Sequence, residues 1–192
     1  ASMSIPKIIH YCWFGGGTIS PENRKCMESW KKYCPDYKII EWNDQNFDIS
    51  TNRYAQQAYE AKKYAFVSDY VRLAVLYEYG GIYLDTDVEL VRPLDELLEL
   101  PGFMGFQNNN EVATGLGLGA CKGNSVVQAL LQDYDALDFI KADGSADLTP
   151  CPERNTKVLQ TLGVRKDGTR QSIAEMEIFP AEYFCPMDIY TR

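Results

Sequence analysis

Two aspartates two residues apart, Asp85 and Asp87, and a second charged pair three residues apart, Asp69 and Arg72, are the groups in this chain best placed to do chemistry. All four fall within AFVSDYVRLAVLYEYGGIYLDTDVELVR, residues 65–92. In an extended chain alternate side chains share a face, which would put Ile82, Leu84, Thr86 and Val88 on one side of a strand and Tyr83, Asp85, Asp87 and Glu89 on the other. Acids gathered on one face repel each other and are costly to bury unless a cation or hydrogen-bond donors meet them. With their backbones roughly 6.6 Å apart, Asp85 and Asp87 could reach one ion, or an ion and the ligand attached to it. Hard divalent cations prefer carboxylate oxygen, and Mg²⁺ typically binds one or two carboxylates together with substrate phosphates. The pattern suggests a nucleotide or pyrophosphate site.

The elements that must position these groups can be read around them. Phe66, Val67, Tyr70, Val71, Leu73, Ala74, Val75, Leu76, Tyr77 and Tyr79 predict a helix buried nearly all round, closed by the Gly80-Gly81 turn. Asp69 and Arg72 share one face of it, so each must be satisfied by the other or by a ligand; an ion pair of purely structural value is the plain alternative. A D-x-D alone is a weak signal. Ile5 to Phe14 reads as a buried opening strand that ends in Gly15-Gly16-Gly17, a run without Walker or Rossmann spacing and therefore a turn. Trp13 stands at its mouth, where core packing is the ordinary role of a tryptophan, and His10 reads as structural.

In these residues the chain resembles glycosyltransferase family 32. SDYVRLAVLYEYGGIYLDTDVEL is similar to that family's DXD sugar-binding region and IPKIIHYCWFGGG to its opening strand, the likeness running well from Ile5 to Leu98 and loosely beyond. The family includes capsular-polysaccharide and yeast-type mannosyl transferases and shares its core with the large clostridial glucosylating toxins. The resemblance implies a GT-A-type α/β fold with a mostly parallel central sheet flanked by helices. It also implies Mn²⁺ or Mg²⁺ as cofactor and a retaining transfer of a hexose from a nucleotide-diphosphate sugar, UDP-sugar first and GDP-mannose as the alternative. The acceptor would be a glycan or lipid-linked saccharide in capsular or surface polysaccharide synthesis. It further implies Asp87 as metal ligand, with Asp85 on ribose and sugar hydroxyls and on the metal through water. Asp69 and Arg72 would hold the donor sugar, Trp13 would stack on the base, and Ser68 and Tyr83 would line the nucleotide and pyrophosphate pocket. The family's aromatic and histidine-rich C-terminal segment has no counterpart before Arg192. A non-catalytic nucleotide-sugar-binding domain is thus one alternative, and a metal-dependent phosphotransferase another.

Composition bounds the rest. The 192 residues predict one domain, residues 1–192, with 45% hydrophobic and 24% charged content and a net charge of −8 that argues against a nucleic-acid partner. Apolar runs are too short for a transmembrane segment and no signal-peptide pattern is present, so a cytoplasmic location is expected, compatible with peripheral association at the inner membrane surface. Six cysteines without C-x-x-C spacing and one histidine argue against a zinc site and for thiols. Ser20-Pro21-Glu22 predicts a helix start, with the helix running to about Cys34. Further elements are expected as a strand over 37–42, helices over 54–63, 124–136 and 153–162, a short helix over 93–99, and strands over 103–106, 114–121 and 176–179. The amide-rich loop Gln107 to Asn110 offers donors and acceptors for sugar hydroxyls, or is a solvated turn. TGLGLGAC, from Thr114, reads as a strand closely approached by another chain or a ligand.

Overall fold

The computed structural model describes residues 4–184, 190 and 191. Strand β1 (Ile8–Cys12) leads to helix α1 (Pro21–Tyr33), β2 (Lys38–Trp42), α2 (Arg53–Glu60), α3 (Tyr64–Tyr79) and β3 (Gly81–Tyr83). Then come β4 (Gly102–Gly105), β5 (Leu118–Ala120), α4 (Ser125–Gln132), α5 (Cys151–Thr161), β6 (Gln171–Ile173) and β7 (Met176–Phe179), with a 3₁₀ turn over Asp95–Glu99. The seven strands form one sheet in the order β2-β1-β3-β5-β4-β7-β6. It is mixed rather than mostly parallel. Pairing is parallel where β1 meets β2 and β3 and where β4 meets β7, and antiparallel at β3–β5, β5–β4 and β7–β6. The parallel half is the one the first ninety residues build.

Alternation along the strands divides the core in two. Tyr83, Met104, Leu118 and Ile178 face the layer of α2, α3, α4 and α5, while Ile9, Tyr11, Ile82, Phe103 and Phe179 face Trp30 of α1, Cys34 just after it and the leucines from Leu84 to Leu98. Ser20 caps α1 as its sequence predicts, accepting from the Asn23 amide at 3.1 Å. Helix α3 is less enclosed than its composition suggests: Val67, Val71, Leu73 and Leu76 are fully buried, but Glu78 is exposed and Tyr79 is 45% exposed. Gly80, at φ 71°, stops it; a Cβ there would meet the Lys122 amide nitrogen at 2.8 Å, so only glycine turns the chain into β3 at this point.

The strand after that turn is shorter than expected. β3 ends at Tyr83, and the acids lie beyond it in a turn closed by the Val88 amide bonding to the Asp85 carbonyl at 3.1 Å. The ladder runs out because β1 is in register only to His10–Tyr83 and β5 only to Leu118–Tyr83, and aspartate at the first turn position favours the bend. Burial still alternates, with Leu84, Thr86, Val88 and Leu90 inside and Asp85, Asp87 and Glu89 more exposed. Residues 114–117 are likewise loop, only 118–120 of the expected strand being paired. Helix α4 ends at Gln132, short of residue 136, and α5 begins at Cys151 rather than Glu153.

Candidate active site

The parallel strands β1 and β3 end side by side, and a crevice outside the carboxyl ends of such strands is where open α/β sheets place ligands. A cleft of about 570 Å³ lies there. Trp13, Ser68, Asp69, Arg72, Tyr83, Asp85 and Asp87, the seven residues singled out in the sequence, all line it. β1 delivers Trp13 and the glycine loop, one face of α3 delivers Ser68, Asp69 and Arg72, and β3 with its turn delivers the rest.

Arg72 is the hub. Its Nη2 lies 3.3 Å from Asp69 Oδ1 and 3.2 Å from Asp85 Oδ1, so the pair expected within α3 exists and is joined by the first acid of the turn. Tyr83, 1% exposed, donates its hydroxyl to Asp85 Oδ1 at 2.9 Å and lies with its ring 4.9 Å from the guanidinium carbon. The Asp85 amide bonds to the Gly115 carbonyl at 2.9 Å, and a Cβ on Gly115 would stand 2.1 Å from Asp85 Oδ2. The TGLGLG stretch, expected as a strand approached by another chain or a ligand, is at Gly115 a loop approached by the Asp85 side chain. Asn23 of α1 donates to Thr86 Oγ1 at 3.0 Å, clasping the middle of the turn from the other wall of the cleft.

The electrostatics follow from burial. Asp69 is pushed up to about 6, chiefly by burial, with the Arg72 charge opposing and the Asp85 charge adding. Burial also works against Arg72, but Asp85, Tyr83 and Asp69 more than offset it and hold the guanidinium above its ordinary range. Asp87 is raised by burial and then by the negative charge of Asp85, and among the described residues it forms no ion pair. The turn therefore has room for one more positive charge. Two carboxylates two residues apart fit a hard cation that completes its shell with phosphate oxygens and water. Among the described residues no group of three or more His, Cys, Asp or Glu is arranged to hold a metal by itself.

Trp13 is half-buried, its indole N–H bonded to the Gly17 carbonyl at 2.6 Å, so the ring stands at the cleft wall rather than in the core. Ser68 bonds back to the Tyr64 carbonyl at 3.2 Å. His10 is structural: fully buried, it lies 2.9 Å from the Gly80 carbonyl through Nε2 and accepts the Trp42 indole N–H at Nδ1, 3.0 Å away. Gln107 to Asn110 is a turn held by the Asn108 carboxamide, which accepts from the amides of Asn110 and Glu111, and it does not line the cleft. Cys12, Cys26, Cys34 and Cys151 are thiols, while Cys185 lies outside the described residues. No helix among the described residues is long and apolar enough to cross a membrane. Sequence reasoning missed Asn23, Gly115 and the groups behind Arg72, namely Thr114, Cys151 and Asn155, because they come from distant parts of the chain.

Residues 20–103 match the glycosyltransferase sugar-binding region containing a DXD motif. The chain is 30% identical over 153 residues to inositol phosphoceramide mannosyltransferase 3 of Schizosaccharomyces pombe, covering 72% of this chain and 39% of that protein. It is 33% identical over 111 residues to mannosyl phosphorylinositol ceramide synthase SUR1 of Saccharomyces cerevisiae, covering 52% of this chain and 27% of that protein. The chain thus spans less than half the length of these curated relatives. Among solved structures, PaToxG glycosyltransferase superposes with a TM-score of 0.57 at 23% identity, over 83% of this chain and 70% of that one, a likeness of fold. Over residues 20–103 this chain thus carries a glycosyltransferase sugar-binding region with its DXD motif, similar to the family 32 type, on a GT-A-type architecture.

Proposed function

We propose that this chain is a catalytic domain that moves a hexosyl group from a nucleoside-diphosphate sugar to a hydroxyl of a glycan or lipid-linked saccharide, with retention at the anomeric carbon. The observation that carries this reading is the convergence of Asp69, Arg72, Asp85, Asp87 and Trp13 on one cleft at the ends of two parallel strands. A mannosyl donor is favoured by the relatives, two of which bear mannosyl transfer in their names. UDP-sugars, expected from the toxin-like resemblance, are the competing donor class. Assembly of a capsular or surface polysaccharide is the setting we propose, with the protein in the cytoplasm at the inner membrane surface.

Leaving-group departure builds negative charge on the diphosphate while the sugar becomes oxocarbenium-like. Preorganised positive groups aimed at that charge lower the barrier without needing to reorganise. Arg72, held protonated in a buried frame, supplies one. Asp87, with Asp85 through water or directly, would hold Mn²⁺ or Mg²⁺, which when bound supplies Lewis-acid stabilisation of the departing diphosphate. Asp69 and Asp85 present carboxylate oxygens to sugar and ribose hydroxyls. Trp13 offers an aromatic face to the base, with Ser68 and Tyr83 along the nucleotide and pyrophosphate.

The test is thermal shift and isothermal titration with UDP, GDP and their sugars in the presence of Mn²⁺. We expect a rise in Tm that Asp87→Ala abolishes, together with transfer or slow hydrolysis of one donor. No response to any nucleoside diphosphate sinks the reading. Binding without turnover favours a nucleotide-sugar-binding domain, and release of phosphate alone favours a phosphotransferase.

A further inference from the structure

Around the Nη1 end of Arg72 lies a polar cluster that the reading above leaves unused, with Cys151 also within reach of Asp69. Arg72 Nη1 donates to Thr114 Oγ1 at 3.0 Å and faces Cys151 Sγ at 3.6 Å. Thr114 and Cys151 in turn both donate to Asn155 Oδ1, each at 3.0 Å. All are shielded from water, with Asn155 0%, Thr114 1%, Arg72 5% and Cys151 8% exposed. Cys151 and Asn155 are four residues apart on α5 and so share one face of it, while Thr114 comes from the loop before β5.

Hydrogen-bond polarity fixes the direction of this relay. A guanidinium has only donors, so Thr114 and Cys151 must accept from it and pass their own hydrogens onward. The atom that receives both must be an acceptor, which orients the Asn155 carboxamide with its oxygen toward them. Arg72 is thus gripped at both ends of its fork, Nη2 by Asp69 and Asp85 and Nη1 by Thr114 and Cys151, with Tyr83 beneath the plane. The end of the relay is a neutral amide. A carboxylate at position 155 would be a third acid competing for the same cation, and the amide orients Arg72 without neutralising it. Arg72 Nε and Asn155 Nδ2 are two of the four buried side-chain polar atoms without a partner among the described residues, so unmet hydrogen-bonding capacity concentrates here.

We infer that Thr114, Cys151 and Asn155 are positioning residues that lock the Arg72 guanidinium in the plane facing the cleft, making α5 a working part of the site. The consequence for donor binding rests on the transferase reading, whereas the locking of Arg72 does not. Two readouts therefore separate them. The first needs no ligand: NMR of the guanidinium groups, with Arg72 assigned through Arg72→Lys, measures rotation about its Cζ–Nη bonds. Loss of one hydrogen bond to the charged group should speed Nη1 rotation about tenfold in Thr114→Val, and Thr114→Ser should restore it. Cys151→Ala, which removes the longer contact, should give a smaller increase and decides the matter if Thr114→Val does not fold. Rotation unchanged in whichever of these two variants folds overturns the inference.

The second readout is titration with UDP–Mn²⁺ and GDP–Mn²⁺. Thr114→Val should weaken whichever nucleotide the unsubstituted protein binds about tenfold, and Thr114→Ser should recover it. Unchanged affinity in a folded Thr114→Val overturns the role in donor binding. If the unsubstituted protein binds neither nucleotide, the transferase reading fails while the rotation measurement still decides the positioning role.

Discussion

Gly115→Ala should damage the site without replacing any ionisable group. The added Cβ would lie 2.1 Å from Asp85 Oδ2 and 2.9 Å from its Cγ, and contacts under 3.0 Å are essentially never seen for real Cβ atoms. Gly115 is not at positive φ, so alanine costs nothing in backbone strain and the effect falls on Asp85. The carboxylate must retreat by about 1 Å, which breaks contacts now at 3.2 Å to Arg72 and 2.9 Å to Tyr83. Hydrogen bonds to charged groups contribute about 1.5–3 kcal/mol each. The Asp85 side chain is 37% exposed, so solvent screening discounts that figure, to about 1–3 kcal/mol for the two together. For a chain of this size the loss should appear as a fall in Tm of roughly 3–10 °C. Affinity for a nucleoside diphosphate with Mn²⁺ should fall about ten- to a hundredfold. The decisive assay is a double-mutant cycle by urea denaturation. In an Asp85→Ala background Gly115→Ala should cost almost nothing, and an undiminished penalty there refutes the reasoning.

Other outcomes follow from the charges. Asp87→Asn should leave Tm unchanged or slightly higher without metal, since burial and Asp85 already disfavour its charge, while removing the Mn²⁺-dependent nucleotide shift; differential scanning fluorimetry reads both. Asp69 is raised to about 6 by burial, so the folded chain keeps that proton to higher pH than the unfolded one. Its contribution to stability is therefore whole below about pH 4 and is lost as pH rises through about 6, and urea melts of Asp69→Asn should lack that decline. His10 has the opposite sign. Burial lowers its pKa, the Gly80 carbonyl only partly opposing, and protonating Nδ1 would turn it donor-first against the Trp42 N–H. Stability should fall below about pH 6.5 at up to about 1.4 kcal/mol per pH unit, and the imidazole signal of this lone histidine should titrate below that value.

The chemistry-bearing stretch was legible because its signals are local. Ser20 and Pro21 name a helix start, Gly80 a place where the chain must turn without a side chain, and the i,i+3 spacing of Asp69 and Arg72 puts them on one helical face whatever packs around them. The resemblance added what each group does in relatives. Local signals failed where a neighbour decides the outcome. β3 stops at Tyr83, where its ladders to β1 and β5 both end although β1 itself runs on to Cys12, and β5 pairs antiparallel on both sides, so a sheet expected to be mostly parallel is mixed.

The amino-acid order by itself therefore determined which residues could meet a cation and a diphosphate, and the helix–turn–strand unit that carries them. Only the tertiary structure decided that Asp85 joins Asp69 on a single guanidinium, that Gly115 must be bare to admit it, and that α5 backs Arg72 through Thr114, Cys151 and Asn155. The reason is range. Helical spacing and turn geometry act over a few residues, whereas the contacts of Arg72 with Asp85 and Cys151 join positions 13 and 79 residues apart, and nothing in a single chain's local pattern says which distant side chains folding will bring within 4 Å.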